Sequence, residues 1–115
     1  MMPAGAVLQR VVDDSSSLCR FTLSGRLDAA SAAALWRSAP VQFDACDGEL
    51  VIDLSGVEHS DSAGVALLVD WLRQTRTQQR VMQLCEIPEQ MRAIIRVADL
   101  EVLFGLDRSR PPTTE

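Results

Sequence analysis

Residues 50–72 read Leu50-Val-Ile-Asp-Leu-Ser-Gly-Val-Glu-His-Ser-Asp-Ser-Ala-Gly-Val-Ala-Leu-Leu-Val-Asp-Trp-Leu72, and they decide the fold. The run 50–54 is compact, apolar and bounded by polar residues, the pattern of a buried central strand. Residues 55–61 read as a loop. Residues 62–77 carry the longest helical pattern in the chain. Strand, tight loop and helix in succession place the loop at the carboxyl edge of a central strand. In open α/β sheets that edge is where ligands and partners meet the fold. Asp61 stands where a helix N-cap belongs, ready to accept from one of the first N–H groups, which have no partner inside the helix.

The flanking sequence repeats this alternation. Residues 6–12 and 18–23 read as strands, the second alternating Leu18, Arg20 and Thr22 against Cys19, Phe21 and Leu23. The polar cluster 13–17 between them reads as a hairpin connection. An Ala-rich helix over 29–38, with Asp28 as its cap, is expected to stop at Pro40, leaving 41–48 as loop. Residues 81–87 suit a further strand. Pro88 and Glu89 suit the first turn of a helix through Met91, Ile94, Ile95 and Ala98. Residues 102–106 suit a last short strand or turn. The class is α/β: a mixed, mostly parallel central sheet of four to five strands with helices packed on it. One domain over 6–106 and a disordered tail over 107–115 are expected.

Composition removes several functions. The 115 residues are 47% hydrophobic and 23% charged, as in ordinary globular domains. No apolar run approaches the roughly 20 residues of a membrane span, and no export signal is visible at the start. Net charge is −5, which argues against nucleic acid as the main ligand. All eleven basic residues are Arg, so a P-loop lysine and a Schiff-base lysine are excluded. Cys19, Cys46 and Cys85 are too far apart for a zinc ribbon or a Cys-x-x-Cys redox pair. Scattered cysteines without an export signal fit a reducing cytoplasm, with Cys19 and Cys85 as small core residues on strands. No metal or cofactor is expected.

The helix over 62–77 supplies the candidate site. At about 100° per residue, Val65, Leu68, Val69 and Leu72 form one stripe, taken as the core face. Ala63, Leu67 and Trp71 form a second stripe on the other side. A short chain has little left to cover a second apolar face. Leu67 and Trp71 are therefore expected to face water until a protein partner buries them, with Ser62, Ala63, Ala66, Asp70 and Gln74 around them. His59, Asp61 and Ser62 do not make a hydrolytic triad: three residues within four positions rarely let a His reach both a Ser and a carboxylate. His59 reads as a solvated loop residue. Asp28 and Asp61 beside the helix starts make a poor phosphate cradle without any Lys. Arg73, Arg76 and Arg80 read as a solvated basic edge.

The segments Leu23-Ser-Gly-Arg-Leu-Asp28, Val51-Ile-Asp-Leu-Ser-Gly-Val57 and Asp61-Ser-Ala-Gly-Val-Ala66, in this order, resemble the STAS domain family (sulfate transporter and anti-sigma factor antagonist) over about residues 6–106. Two branches of that family compete. Anti-anti-sigma factors typically read Asp-Ser-Ser/Thr-Gly, the second hydroxyl accepting phosphate from an anti-sigma kinase. Here that position is Ala63, and Ser62 matches the first hydroxyl. The small STAS subunit of the bacterial lipid-asymmetry ABC transporter resembles this chain in its length, in a single hydroxyl residue after the Asp, in a long aliphatic second helix, and in Leu-Trp within Ala34-Leu-Trp36. That resemblance implies a non-catalytic subunit that binds and regulates the transporter's ATPase through Ser62 and its surroundings. The complex would include a permease and lipid-binding subunits. The chain would lie in the cytoplasm, peripheral to the inner membrane, without inserting into it, and a homodimer of the isolated chain is left open. The alternative is an anti-anti-sigma factor phosphorylated at Ser62.

Overall fold

The computed structural model describes residues 5–11, 18–98 and 100. The elements are β1 (Ala6–Val11), β2 (Leu18–Leu27), α1 (Ala29–Asp44), β3 (Glu49–Ser60), α2 (Ser62–Thr77), β4 (Met82–Cys85) and α3 (Glu89–Val97). The sequence expectations for 13–17, 102–106 and 107–115 fall outside the described residues. The four strands lie in the order β1-β2-β3-β4, β1 antiparallel to β2 and the others parallel. Each parallel connection moves one strand in the same direction, and crossovers of one hand then place their helices on the same face. Side-chain alternation agrees with a sheet covered on one side. Cys19, Phe21 and Leu23 of β2 and Leu50, Ile52 and Leu54 of β3 are buried, while Arg20, Ser24 and Gln83 are exposed. Val51 is buried although it points to the open face, where it sits in register between Arg20 and Gln83.

Several local expectations are corrected. Residues 55–60 are strand, not loop, because β3 carries two irregularities against β2. Thr22 pairs with Asp53 and Ser24 with Gly56; Gly25 pairs with Val57 and Arg26 with His59. Each step inserts one extra residue into β3, so its buried positions run Leu54, Val57, Ser60 at intervals of three rather than two. The Asp53 carboxylate accepts from the Ser55 N–H (2.9 Å) across the first of these. His59 is consequently a half-buried strand residue.

Helix α1 does not stop at Pro40 but continues to Asp44. Proline removes one N–H and leaves the Trp36 carbonyl without its usual donor. Trp36 is half exposed, so water is at hand to replace it. The extra turn brings Phe43 into the core. There it meets Phe21 edge-on (5.3 Å between ring centroids) and Trp71 edge-on (5.1 Å).

The cysteine expectation changes as well. Cys19 is buried as expected, but it is joined to Cys46 in a disulfide, their Cα atoms 6.3 Å apart, and Cys85 is free and only half buried, so the cysteines do not argue for a reducing compartment. Arg80 does not belong to a solvated edge. Its guanidinium donates to the carbonyls of Phe43 (3.0 Å), Cys46 (2.7 Å) and Gly48 (3.0 Å). It thereby ties the end of α1 and the turn that follows it to the turn after α2. No helix among the described residues is long and apolar enough to cross a membrane.

Candidate partner-binding surface

The parallel strands deliver the starts of α1, α2 and α3 to one edge of the sheet. Asp28 caps α1 through a reciprocal pair: its carboxylate accepts from the Ser31 N–H (3.1 Å), and the Ser31 hydroxyl lies 3.0 Å from the Asp28 N–H, which donates to it. The Ser31 N–H, and then its hydroxyl, hold the Asp28 carboxyl below the usual carboxylate range. Asp61 caps α2 as the sequence implied, accepting from the Ala63 N–H at 2.9 Å. The Asp61 N–H donates to the Leu27 carbonyl (3.2 Å) and the Ser60 N–H to Gln90 Oε1 of α3 (2.8 Å). Strand ends and helix starts are therefore bonded into one rigid edge. Gly64 packs tightly there: a Cβ on it would lie 2.9 Å from Leu27 Cβ and would press on Ser60 Oγ.

Ser62, the first residue of α2, is exposed, and its hydroxyl makes no hydrogen bond among the described residues. Ala66 is exposed one turn on. Ala63, Asp70 and Gln74 are half buried on the same flank, and Arg73 is exposed beyond them. Of the seven residues expected at the partner surface, these five lie together.

The other two do not. Leu67 is 4% exposed and Trp71 1% exposed; both belong to the core. The expectation of an outward Leu67–Trp71 stripe is wrong, for a geometric reason. The two stripes read from the sequence are the margins of one broad face centred on Gly64, Leu68, Trp71 and Thr75, all buried. A face about half the helix circumference wide is ordinary when a helix is flanked by others as well as by a sheet. Here α1 covers the Trp71 side, through Phe43.

The indole that does reach the surface is Trp36 of α1, 51% exposed. Its Nε1–H donates to Asp70 Oδ2 (2.5 Å), and Gln74 Nε2 donates to the same oxygen (2.7 Å). Between the two helices, Ala32, Ala33, Trp36, Ala63, Ala66, Leu67 and Asp70 line an open hollow of about 320 Å³. On the other flank of α2 a second hollow of about 360 Å³ runs between Ser62, Ala66, Val69 and Arg73 and the residues Ile94, Ala98 and Leu100. Helical spacing gave no clear signal for Trp36, which lies at the margin of the face through which α1 buries Ser31, Ala32, Leu35, Ala39 and Phe43; the sequence marked it only through the Leu-Trp of the family resemblance.

A family model described as "Mlab, STAS domain" matches residues 11–106. No curated protein matches the chain. Among solved structures, an anti-sigma factor antagonist from Mycobacterium paratuberculosis is similar at 23% identity, covering 90% of this chain and 86% of its own, with a TM-score of 0.69. The Bacillus cell fate determinant SpoIIAA in its phosphorylated form shares 17% identity over 90% of this chain and 100% of its own, TM-score 0.62. The STAS domain of an antisigma-factor antagonist from Rhodobacter sphaeroides shares 21% over 70% and 86%, TM-score 0.57. At these identities the likeness is one of fold.

Proposed function

From the premise that this chain belongs to the STAS domain family, in the group described as Mlab, we propose that it is the non-catalytic subunit that binds and regulates the ATPase of a bacterial phospholipid-transporting ABC complex. Its seat would be the cytoplasmic side of the inner membrane. The observation that carries the reading is the outward shelf of α1 and α2. It joins an unbonded Ser62 hydroxyl, the small residues Ala63 and Ala66, and a half-exposed indole at Trp36. A shelf of small side chains beside one aromatic is suited to close approach by another polypeptide, where aromatic residues commonly carry much of the binding. Residue 63 supports the same choice. The phosphate-accepting hydroxyl of the anti-anti-sigma pattern is replaced there by a methyl group.

The test is co-purification with an ABC transporter ATPase from the same organism. Ser62→Arg places a long charged group on the shelf and is expected to abolish retention of the ATPase, while the isolated domain keeps its Tm, because Ser62 is exposed and its side chain bonds nothing. Undiminished co-purification of Ser62→Arg would refute the assignment. Transfer of labelled phosphate to Ser62 from a neighbouring kinase would favour the anti-anti-sigma reading instead.

A further inference from the structure

We propose that Asp70 is a positioning residue for partner binding, holding the exposed Trp36 indole in the orientation in which the partner meets it; this rests on the ATPase-binding reading above. An indole has a single donor, and here it is committed to a carboxylate on another helix, 34 residues away in sequence. The carboxylate is itself fixed from one turn further along α2, by Gln74. A bond from N–H to an ionised acceptor is among the stronger ones available to a side chain. The ring is thereby held in the lining of the hollow that it shares with Ala32, Ala33, Ala63, Ala66 and Leu67. Without Asp70 the half-exposed ring would be free to turn about its side-chain bonds, and ordering it would oppose association. Asp70 and Gln74 are only half buried and lie outside the core cluster to which Leu67 and Trp71 belong.

A role through Trp36 differs measurably from direct contact and from a helix staple. The full chain, labelled with ¹⁵N, gives one indole N–H resonance for each of its two tryptophans. Asp70→Ala should move the Trp36 resonance and speed its solvent exchange while leaving that of Trp71 in place. Titration against the ATPase that retains the unsubstituted chain in co-purification should show Asp70→Ala weakening binding by about tenfold, with no further loss when it is added to Trp36→Ala, since a residue acting through another shows full coupling. Asp70→Asn, which retains an acceptor oxygen, should recover part of the affinity. Binding of Asp70→Ala at unchanged affinity overturns the proposal. So does an Asp70→Ala effect that persists undiminished in the Trp36→Ala background, or a loss of affinity that follows a matching fall in Tm. Failure of the unsubstituted protein to bind the ATPase overturns the function reading itself, and the positioning role falls with it.

Discussion

Replacing Trp71 by Ala is the sharpest test of which indole is structural. Trp71 is 1% exposed and sits edge-on to Phe43, which in turn sits edge-on to Phe21. Truncating a buried aromatic to Ala costs about 3–5 kcal/mol through lost transfer energy and the cavity left behind. The Trp71 Nε1–H has no hydrogen-bond partner among the described residues. Its removal therefore breaks no bond and relieves a buried unpaired donor worth about 1 kcal/mol, which places the loss near the lower end, about 3–4 kcal/mol. For a domain of this size about 4 °C of Tm accompanies each kcal/mol, so Trp71→Ala should melt some 12–16 °C below the unsubstituted protein. Trp36→Ala should stay within about 4 °C, because that ring is half in water already and gives up one bond. Thermal melts followed by far-ultraviolet circular dichroism give both numbers. Fluorescence supplies the control: Trp71→Ala retains only Trp36, whose emission should be red-shifted and open to acrylamide. A Trp71→Ala protein melting within about 4 °C of the unsubstituted chain, or retaining only shielded, blue-shifted emission, would refute the burial argument.

Arg80→Ala leaves the carbonyls of Phe43, Cys46 and Gly48 without their shared donor; the site is half exposed, so water recovers part of the loss, and a fall of about 2 kcal/mol in urea-unfolding stability is expected. Gly64→Ala gains helix propensity but drives a methyl against Leu27 and Ser60, and overpacking of about 1–3 kcal/mol outweighs that gain, read as a lower urea midpoint at unchanged slope. The carboxyls of Asp28 and Asp53 are held below the ordinary carboxylate value of 3.8 chiefly by the backbone N–H groups of Ser31 and Ser55, then by their hydroxyls. A lowered folded value means stability present above the unfolded value and lost as pH falls through the folded one; Asp28→Asn, which keeps an acceptor but cannot titrate, should make the acid-side fall in Tm shallower, and an identical fall would contradict the cap.

What the sequence disclosed followed its periodicities. The α2 bounds, the Asp28 and Asp61 caps and the alternation Cys19, Phe21, Leu23 each follow from a local rule that tertiary packing did not override. The 3.6-residue and two-residue periods fail where the chain departs from the ideal element. Two inserted residues change β3 from a period of two to a period of three, so its second half resembles loop although it pairs with β2. Pro40 is a strong breaker in isolation, yet α1 runs through it because Phe43 lies beyond and its burial repays the missing bond. Of the candidate site, the cap, Ser62 and Ala66 were legible because exposure at a helix start is a local property. Burial of Trp71 was not, because what covers it lies 28 positions earlier, on a turn of helix that the proline conceals.

That single displacement alters what kind of surface the protein offers. An outward Leu67–Trp71 stripe would have been a greasy patch whose strength lay in the side chains themselves, so truncation would weaken it. The shelf actually presented carries Ser62, Ala63 and Ala66 with one indole at its margin. Small residues contribute little area and leave room for another backbone to come near. Such a surface is sensitive to what is added more than to what is removed. Ser62→Ala or Ala66→Gly should leave association nearly intact, whereas Ala66→Arg should block it as fully as Ser62→Arg, and both arginine variants should fold, since positions 62 and 66 face water. Equal losses from truncation and enlargement in the same pull-down would mean that the contact is made by those side chains directly and that the shelf is not a platform for close approach.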